Sequence, residues 1–422
     1  LSGWGCERGG PVRGMFHGWG RAPVLVLTVL VLYVFGVALI FSAGVLNVPS
    51  PVTQNIWQRQ LAFLVLGTGA FTAISLVPPR WFEWAALPAY VLGVILLGAT
   101  LVIGTGAGTA AGVKSFLSIA GFRFQPAEVA KIATIMAMAR LLSIRREPVQ
   151  NLRELIAPLA LVALPLGLVV LQPDLGTALA FIGILFAMLY WGGTPVPLLV
   201  LLASPGLALI LSYDIKIWSG YIIILTLSLF FYRYRLYLVE SVAVVLANLA
   251  AGTVALPLWR SLADYQKNRL LVFLNPDVDP RGAGWQIIQS KVAIGSGGLL
   301  GKGFTHGTPK RLDFLPEQHT DFIFSVVGDE LGVIGTSLVI VTFSVVFLQL
   351  IKLAAQATDP IAGLVIFGIF GAWITHVYVN IGMTVGLVPI TGIPLPFVSY
   401  GGSFLLMSWV ALAVAVQASH ET

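Results

Sequence analysis

The sequence predicts an all-α integral membrane protein, a polytopic helical bundle with one large loop outside the membrane. Three observations carry this. The chain of 422 residues is 57% hydrophobic and only 10% charged, with a mean hydropathy of +0.92, whereas soluble domains average roughly 25% charged residues. Its apolar residues fall in runs of about 20, the length that crosses a bilayer as a helix. The charge is concentrated, with 14 of the 42 charged side chains in the 64 positions of 258–321.

Composition excludes several classes. A net charge of +6 in such a chain marks cytoplasmic loops and contact with anionic membrane lipid, not nucleic acid. Cys6 is the single cysteine, so neither an intramolecular disulfide nor a thiolate metal cluster can form. His17, His306, His319, His376 and His420 have no zinc-like spacing. Leu1 to Arg13 resemble neither a signal peptide nor a helix, which makes Met15 a candidate start.

Apolar spans fall at 23–45, 61–77, 85–103, 126–142, 155–171, 175–191, 197–212, 219–232, 237–257, 322–350, 361–387 and 398–417. Spans seven and eight are short, and the first of them contains Ser204-Pro205-Gly206. Twelve crossings result, or ten if that pair forms a hairpin that does not cross. The short loops carrying Arg8, Arg13, Arg21, Arg140, Arg145, Arg146, Arg153, Arg233, Arg235 and Lys352 then all lie on the cytoplasmic side. Both termini are placed inside. The loop 105–125 and the island 258–321 are placed outside, between N-terminal helices at 23–257 and C-terminal helices at 322–422, with residues 1–22 as a cytoplasmic segment.

Every even-numbered span therefore begins at the outer face. Its helix N-terminus carries orphan N–H groups and partial positive charge, which favour anions. Pro126 and Pro173 sit where a first-turn proline belongs.

Ionisable residues in spans are candidates for function. Glu128 and Lys131 lie three apart, on one helix face. Arg123 just upstream brings this group to +1, which suits an anionic ligand; the plain alternative is a self-neutralising pair. Asp174 reads first as a helix cap for Gly176 or Thr177. His376 and Asn380, one turn apart, read as interhelical hydrogen bonding.

Within the island, Asp277 and Asp279 occupy a turn bounded by Pro276, Pro280 and Gly282, where an Asp most often caps its own loop. Trp285, Ile288 and Val292 have helical spacing, which suits a short helix lying in the membrane interface. The run Gly295-Ser296-Gly297-Gly298-Leu299-Leu300-Gly301-Lys302-Gly303 lacks the spacing of a nucleotide-binding loop. It leaves a backbone nest for diphosphate as a weaker reading.

Longer motifs carry a resemblance. The tail from Asn380 to Ser403 contains Asn380-Ile381-Gly382-Met383 and Gly392-Ile393-Pro394-Leu395-Pro396-Phe397-Val398-Ser399-Tyr400-Gly401-Gly402-Ser403. With it stand Phe124-Gln125-Pro126-Ala127-Glu128-Val129-Ala130-Lys131, Gln172-Pro173-Asp174-Leu175-Gly176-Thr177, and Asp279-Pro280-Arg281-Gly282-Ala283-Gly284-Trp285-Gln286. Together they resemble the SEDS family (shape, elongation, division, sporulation). The run from Gln289 to Gly332, with Phe314-Leu315-Pro316-Glu317-Gln318-His319-Thr320-Asp321-Phe322, is similar to its RodA branch. Departures are Ala127 for the family's Ser, Phe116 for a frequent Trp, Phe404 after Ser403, and a stretch 195–257 longer than the one crossing expected in a ten-helix core.

The resemblance implies a peptidoglycan glycosyltransferase of cell elongation in the bacterial cytoplasmic membrane. Such an enzyme polymerises lipid II, releases undecaprenyl diphosphate, and works beside a class B penicillin-binding protein transpeptidase. The family's essential aspartate falls on Asp279. A sugar hydroxyl is a poor nucleophile, and one positioned carboxylate can take its proton. A diphosphate leaving group needs cations, not a general acid. Arg123 and Lys131 are the expected diphosphate ligands, with Glu128 orienting Lys131 or holding a divalent cation such as Mg²⁺ or Mn²⁺. Lys114, Asp174 and Ser399 complete the candidate substrate-binding set. The sequence shows no dedicated metal cage. Two rival functions remain: a lipid II flippase, which the one-sided charge disfavours, and a non-catalytic scaffold for the transpeptidase.

Overall fold

The computed structural model describes residues 22–45, 55–78, 80–106, 114–119, 122–145, 147–231, 238–279, 282–307 and 318–419. Cys6, the candidate start at Met15, His17, the basic residues Arg8, Arg13, Arg21, Arg146, Arg233, Arg235 and Arg281, and the stretch 314–317 lie outside the described residues.

Helices α1 (Pro23–Ala43), α2 (Ile56–Ser75) and α3 (Arg80–Ile103) are followed by a hairpin of β1 (Leu117–Ile119) and β2 (Phe122–Phe124). Then come α4 (Pro126–Ser143), α5 (Leu152–Leu171), α6 (Leu175–Trp191), α7 (Val196–Leu211), α8 (Ile215–Phe231) and α9 (Leu238–Ser261). The island supplies α10 (Asp264–Leu274), one 3-10 turn (Pro276–Val278) and α11 (Ala283–Ser296); α12 (Ile323–Gln356), α13 (Pro360–Val385) and α14 (Gly402–Ala418) complete the bundle. The twelve helices outside the island coincide in order with the twelve apolar spans. Six of these are long and apolar enough to cross a membrane, and four more are shorter apolar helices. This is an all-α, multi-pass membrane fold.

Caps and prolines set the ends. Pro23, Pro126 and Pro360 stand in first turns, where a missing N–H is harmless and the fixed φ is already helical. Asp359 accepts from the backbone N–H groups of Ile361 and Ala362, and Gly386 ends α13 at φ 78°, a conformation that favours glycine.

The core centres on α13, whose most apolar stretch is 72% buried, against 11% for α9. α13 packs on α6, α12 and α4, while α2 packs on α14 and α3 on α4. The short seventh and eighth spans are two separate helices, packed chiefly with α9 at the periphery. In α8 only Leu225 is buried. A polar knot joins these three helices: Asn248 Nδ2 donates to Ser204 Oγ at 2.8 Å, and the Tyr221 hydroxyl donates to Asn248 Oδ1 at 3.1 Å. Interhelical hydrogen bonds of this kind hold bundles in lipid, where apolar contact alone has little driving force.

The island is seated, not detached. Val272 of α10 and Ile287 of α11 form a small core with Phe322, Met383 and Ile390. The buried face of α11 is Ile287, Ser290 and Ala293, and Val292 is 51% exposed. The expected interfacial stripe of Trp285, Ile288 and Val292 is therefore the face turned away from the bundle. Ser290 decides the orientation, because its hydroxyl donates to the Thr384 carbonyl at 2.6 Å and meets Ser325 Oγ at 2.6 Å.

Candidate active site

The N-terminal start of α4 holds a buried ion pair. Gln125 is extended and Pro126 begins the helix, so Glu128 and Lys131 fall one turn in, on one face. Lys131 Nζ lies 2.9 Å from Glu128 Oε1. The same ammonium lies 2.9 Å from His376 Nε2 on α13 and 5.5 Å from the Phe404 ring centre on α14. A cavity of about 20 Å³ opens beside it, lined in part by Lys131, His376, Phe404 and Ser408, room for about one water. Burying an unpaired ammonium costs several kcal/mol, which explains why two partners meet this one.

Asp174 is the cap of α6. Its Oδ1 accepts from the Thr177 N–H at 3.0 Å, and its Oδ2 from the Thr177 hydroxyl at 2.9 Å and Gln125 Nε2 at 3.1 Å. Gln125 thus ties the α6 rim to α4, and its own N–H donates to Ser403 Oγ at 3.0 Å. Arg123 faces Ser118 across the β hairpin, and its side chain is exposed, as is that of Lys114. Neither makes an ion pair among the described residues. Of the expected cationic group, the structure joins Lys131 to Glu128 and leaves Arg123 and Lys114 on the open surface.

Asp279 closes the 3-10 turn of the island. Its Oδ1 accepts from the Gly282 N–H at 2.9 Å, and its carbonyl accepts from the N–H groups of Gly282 at 3.3 Å and Gly284 at 3.1 Å. A Cβ on Gly282 would stand 2.2 Å from Asp279 Oδ2, so only glycine leaves the carboxylate in place. Asp277 is exposed, its N–H taken by Asn275 Oδ1 at 3.1 Å. The island reaches the α6 rim through Tyr265, whose hydroxyl donates to the Pro173 carbonyl at 3.2 Å. Burial pushes the Tyr265 phenol up from its usual range; Arg269 opposes this and Asp174 adds to it.

Ser399 is fully buried. Its hydroxyl donates to the Thr320 carbonyl at 2.6 Å and accepts from the Leu395 N–H at 2.8 Å. Both bonds help hold the loop between α13 and α14 in place.

Part of the glycine run is engaged with helix α12. Helix α12 breaks at Gly332, with φ 63° and ψ −156°. The N–H groups of Lys302 and Gly303 donate to the carbonyls of Asp329 and Glu330, both at 3.0 Å. On the other side of the break, the Val333 and Ile334 N–H groups donate to the carbonyls of Gly298 at 2.9 Å and Leu299 at 3.2 Å. The turn completes a helix ladder that the break leaves open. Among the described residues, no three His, Cys, Asp or Glu side chains converge to hold a metal ion, and Glu128 is engaged by Lys131. Among the described residues, those at the site do not make a dedicated Mg²⁺ or Mn²⁺ cage.

Comparison with known proteins decides the family. The profile of the FtsW/RodA/SpoVE family, described as cell cycle proteins, matches residues 23–229 and 219–422. This chain belongs to that family. It is 33% identical to the peptidoglycan glycosyltransferase MrdB of Escherichia coli K12 over 394 residues, 93% of this chain and 92% of the relative. It is also 33% identical to the peptidoglycan glycosyltransferase RodA of Treponema pallidum, covering 92% of this chain and 95% of the relative. The fold resembles a chain from a solved peptidoglycan synthase complex that coordinates polymerization and crosslinking, with a TM-score of 0.68, 26% identity, and 95% and 98% of the two chains covered. Thermus thermophilus RodA matches at a TM-score of 0.62 and 24% identity, covering 95% and 96%, which speaks to the fold.

The two segments matched to the FtsW/RodA/SpoVE family overlap at 219–229, inside α8. Between α13 and α14 the tail runs as a non-helical loop in which Ile393, Leu395, Phe397, Val398 and Ser399 are buried. Asn380 Nδ2 donates to the carbonyls of Asp321 at 2.9 Å and Ile393 at 2.7 Å, so it clamps this loop and does not bond to another helix. Irregular backbone at this depth is tolerated where protein surrounds it. Sequence reasoning flagged His376 but missed its partner Lys131, and it missed Gln125 as the link from α4 to Asp174.

Proposed function

We propose that this protein is a peptidoglycan glycosyltransferase of the cell-elongation type that polymerises lipid II. Full-length similarity to MrdB and RodA, both peptidoglycan glycosyltransferases, carries this reading. In this proposal the protein lies in the bacterial cytoplasmic membrane, with both termini cytoplasmic and the island outside. A class B penicillin-binding protein is the proposed partner, in keeping with the neighbouring synthase complex.

In the proposed reaction Asp279 takes the proton of the acceptor sugar hydroxyl as the new C–O bond forms. The bond to the diphosphate oxygen breaks with its electron pair, and undecaprenyl diphosphate leaves with inversion at the sugar carbon. The developing negative charge calls for cations. Lys131, held by Glu128 within the rim, serves this, with exposed Arg123 and Lys114 drawing the diphosphate in from outside. Asp174 orders the rim through Gln125 and Thr177. The glycines at 282 and 284 keep the Asp279 carboxylate in one position, which an effective base requires.

The test is a gel assay of glycan strands from purified lipid II, with wild type and Asp279→Asn, each with and without the cognate transpeptidase. Polymer from wild type alone supports the enzyme and its base together. Normal polymer from Asp279→Asn refutes the base. No polymer from either, with the partner present, moves the reading to a lipid II flippase, which vesicle translocation would then detect.

A further inference from the structure

His376 sits where a histidine has little to do in a purely apolar helix. It lies on α13, in the middle of the bundle, and is buried. Its Nδ1 is 3.2 Å from the Pro394 carbonyl, and a carbonyl only accepts. Nδ1 therefore carries the proton, which leaves Nε2 of the neutral ring as a lone-pair acceptor. That lone pair faces the Lys131 ammonium at 2.9 Å. The ring stacks on Phe404, centroids 4.9 Å apart at 23°, so it cannot swing freely.

An ammonium has three N–H donors. Glu128 takes one and His376 another. The Phe404 ring centre lies 5.5 Å from the ammonium, and the small cavity is lined by Glu128, Lys131, His376 and Phe404 together. Glu128 alone would let the flexible lysine swing about a single ionic contact. A second, neutral acceptor fixes the direction of the charge without cancelling it. The anchor of that acceptor is Pro394, in the buried tail loop that Asn380 and Ser399 also hold.

We propose that His376 is a positioning residue: it couples the tail loop, through the Pro394 carbonyl, to the direction in which Lys131 presents its remaining N–H to the diphosphate of the lipid substrate. This rests on the phosphate role proposed for Lys131. The structure also assigns the substitution that should rescue it. A glutamine can donate to Pro394 with its amide nitrogen and accept from Lys131 with its oxygen, whereas leucine can do neither.

The experiment measures the Kd for a long-chain polyprenyl diphosphate in detergent, which remains readable when turnover is lost. The full-length proteins are wild type, His376→Leu, His376→Gln, Lys131→Met and the His376→Leu/Lys131→Met double variant. We expect Lys131→Met to weaken binding by about 10- to 100-fold and His376→Leu by about tenfold. His376→Gln should stay within about threefold of wild type, and the double variant should bind no more weakly than Lys131→Met, because His376 acts only through the lysine. A histidine with a merely structural role gives losses that add in the double variant. Additive losses, or a glutamine variant as weak as the leucine variant, overturn this inference alone. A wild-type Kd for Lys131→Met overturns the phosphate role and this inference together.

Discussion

Lys302 grips Asp329 twice. Its backbone N–H donates to the Asp329 carbonyl at 3.0 Å, and its Nζ lies 2.7 Å from Asp329 Oδ1. Ser296 reaches the same carboxylate oxygen at 3.1 Å and accepts from Lys302 Nζ at 2.7 Å. One residue of the glycine turn thus serves the open helix ladder and the buried charge beside it. Removing the charge of Lys302 leaves Asp329, 2% exposed, without its cation. Breaking a buried pair from one side costs about 3–5 kcal/mol, and replacing both partners with apolar groups costs far less. Lys302→Met should lower the thermal midpoint in detergent by several degrees, and Lys302→Met/Asp329→Leu should recover part of that. A double variant less stable than the single one would show that the pair is not the source.

The break in α12 depends on one residue type. Gly332 has backbone angles open essentially to glycine alone, and an added Cβ would lie 2.5 Å from the Gly301 nitrogen. Gly332→Ala is expected to cost at least ~2 kcal/mol and to reduce the monodisperse fraction on size-exclusion chromatography. A wild-type profile and thermal midpoint would refute the constraint.

The Asp279 carboxylate should be as sensitive to its neighbour as to its own identity. Gly282→Ala places a methyl group in contact with Oδ2 while leaving the acid intact. Misplacement of a catalytic group by about 1 Å can cost roughly 100-fold in rate. We expect Gly282→Ala to lower polymerisation by about 10- to 100-fold with normal folding by circular dichroism. Full activity would place the working carboxylate elsewhere.

Ser399→Ala separates a structural serine from a binding one. It strands the Leu395 N–H inside the protein, at about 1–3 kcal/mol for such an unsatisfied group. The expected result is a lower thermal midpoint with an unchanged apparent KM for lipid II. A raised KM at full stability would return Ser399 to the substrate site.

The side-chain hydrogen bonds of Asn248 and Tyr221 in the α7–α8–α9 knot stay within α7, α8 and α9. Asn248→Leu removes its bonds to Ser204 and Tyr221, a loss of about 0.6–2 kcal/mol in a membrane bundle. Thermal stability should fall by that amount while polymerisation stays within about twofold of wild type. Loss of activity without loss of stability would tie α7 and α8 to catalysis.

Local rules made much of this legible in advance. Runs of apolar residues mark spans because lipid requires long apolar helices, and twelve runs became twelve helices. Helical periodicity placed Glu128 beside Lys131, three residues apart, and Asp174 before Thr177 reads as a cap because the bond closes within one turn. Tertiary packing alone decided the rest. Lys131 meets His376 across 245 residues of sequence, and no local pattern encodes that distance. The glycine run has the composition of an anion nest, but the N–H groups of Lys302 and Gly303 find carbonyls that the break at Gly332 leaves open. The same dependence on partners turned the Ile287–Ser290–Ala293 face of α11 inward and sealed Ser399. Hydrophobicity and chain geometry act within a few residues and can be read along a line; a hydrogen-bond partner is chosen in three dimensions by whichever helix the packing brings near.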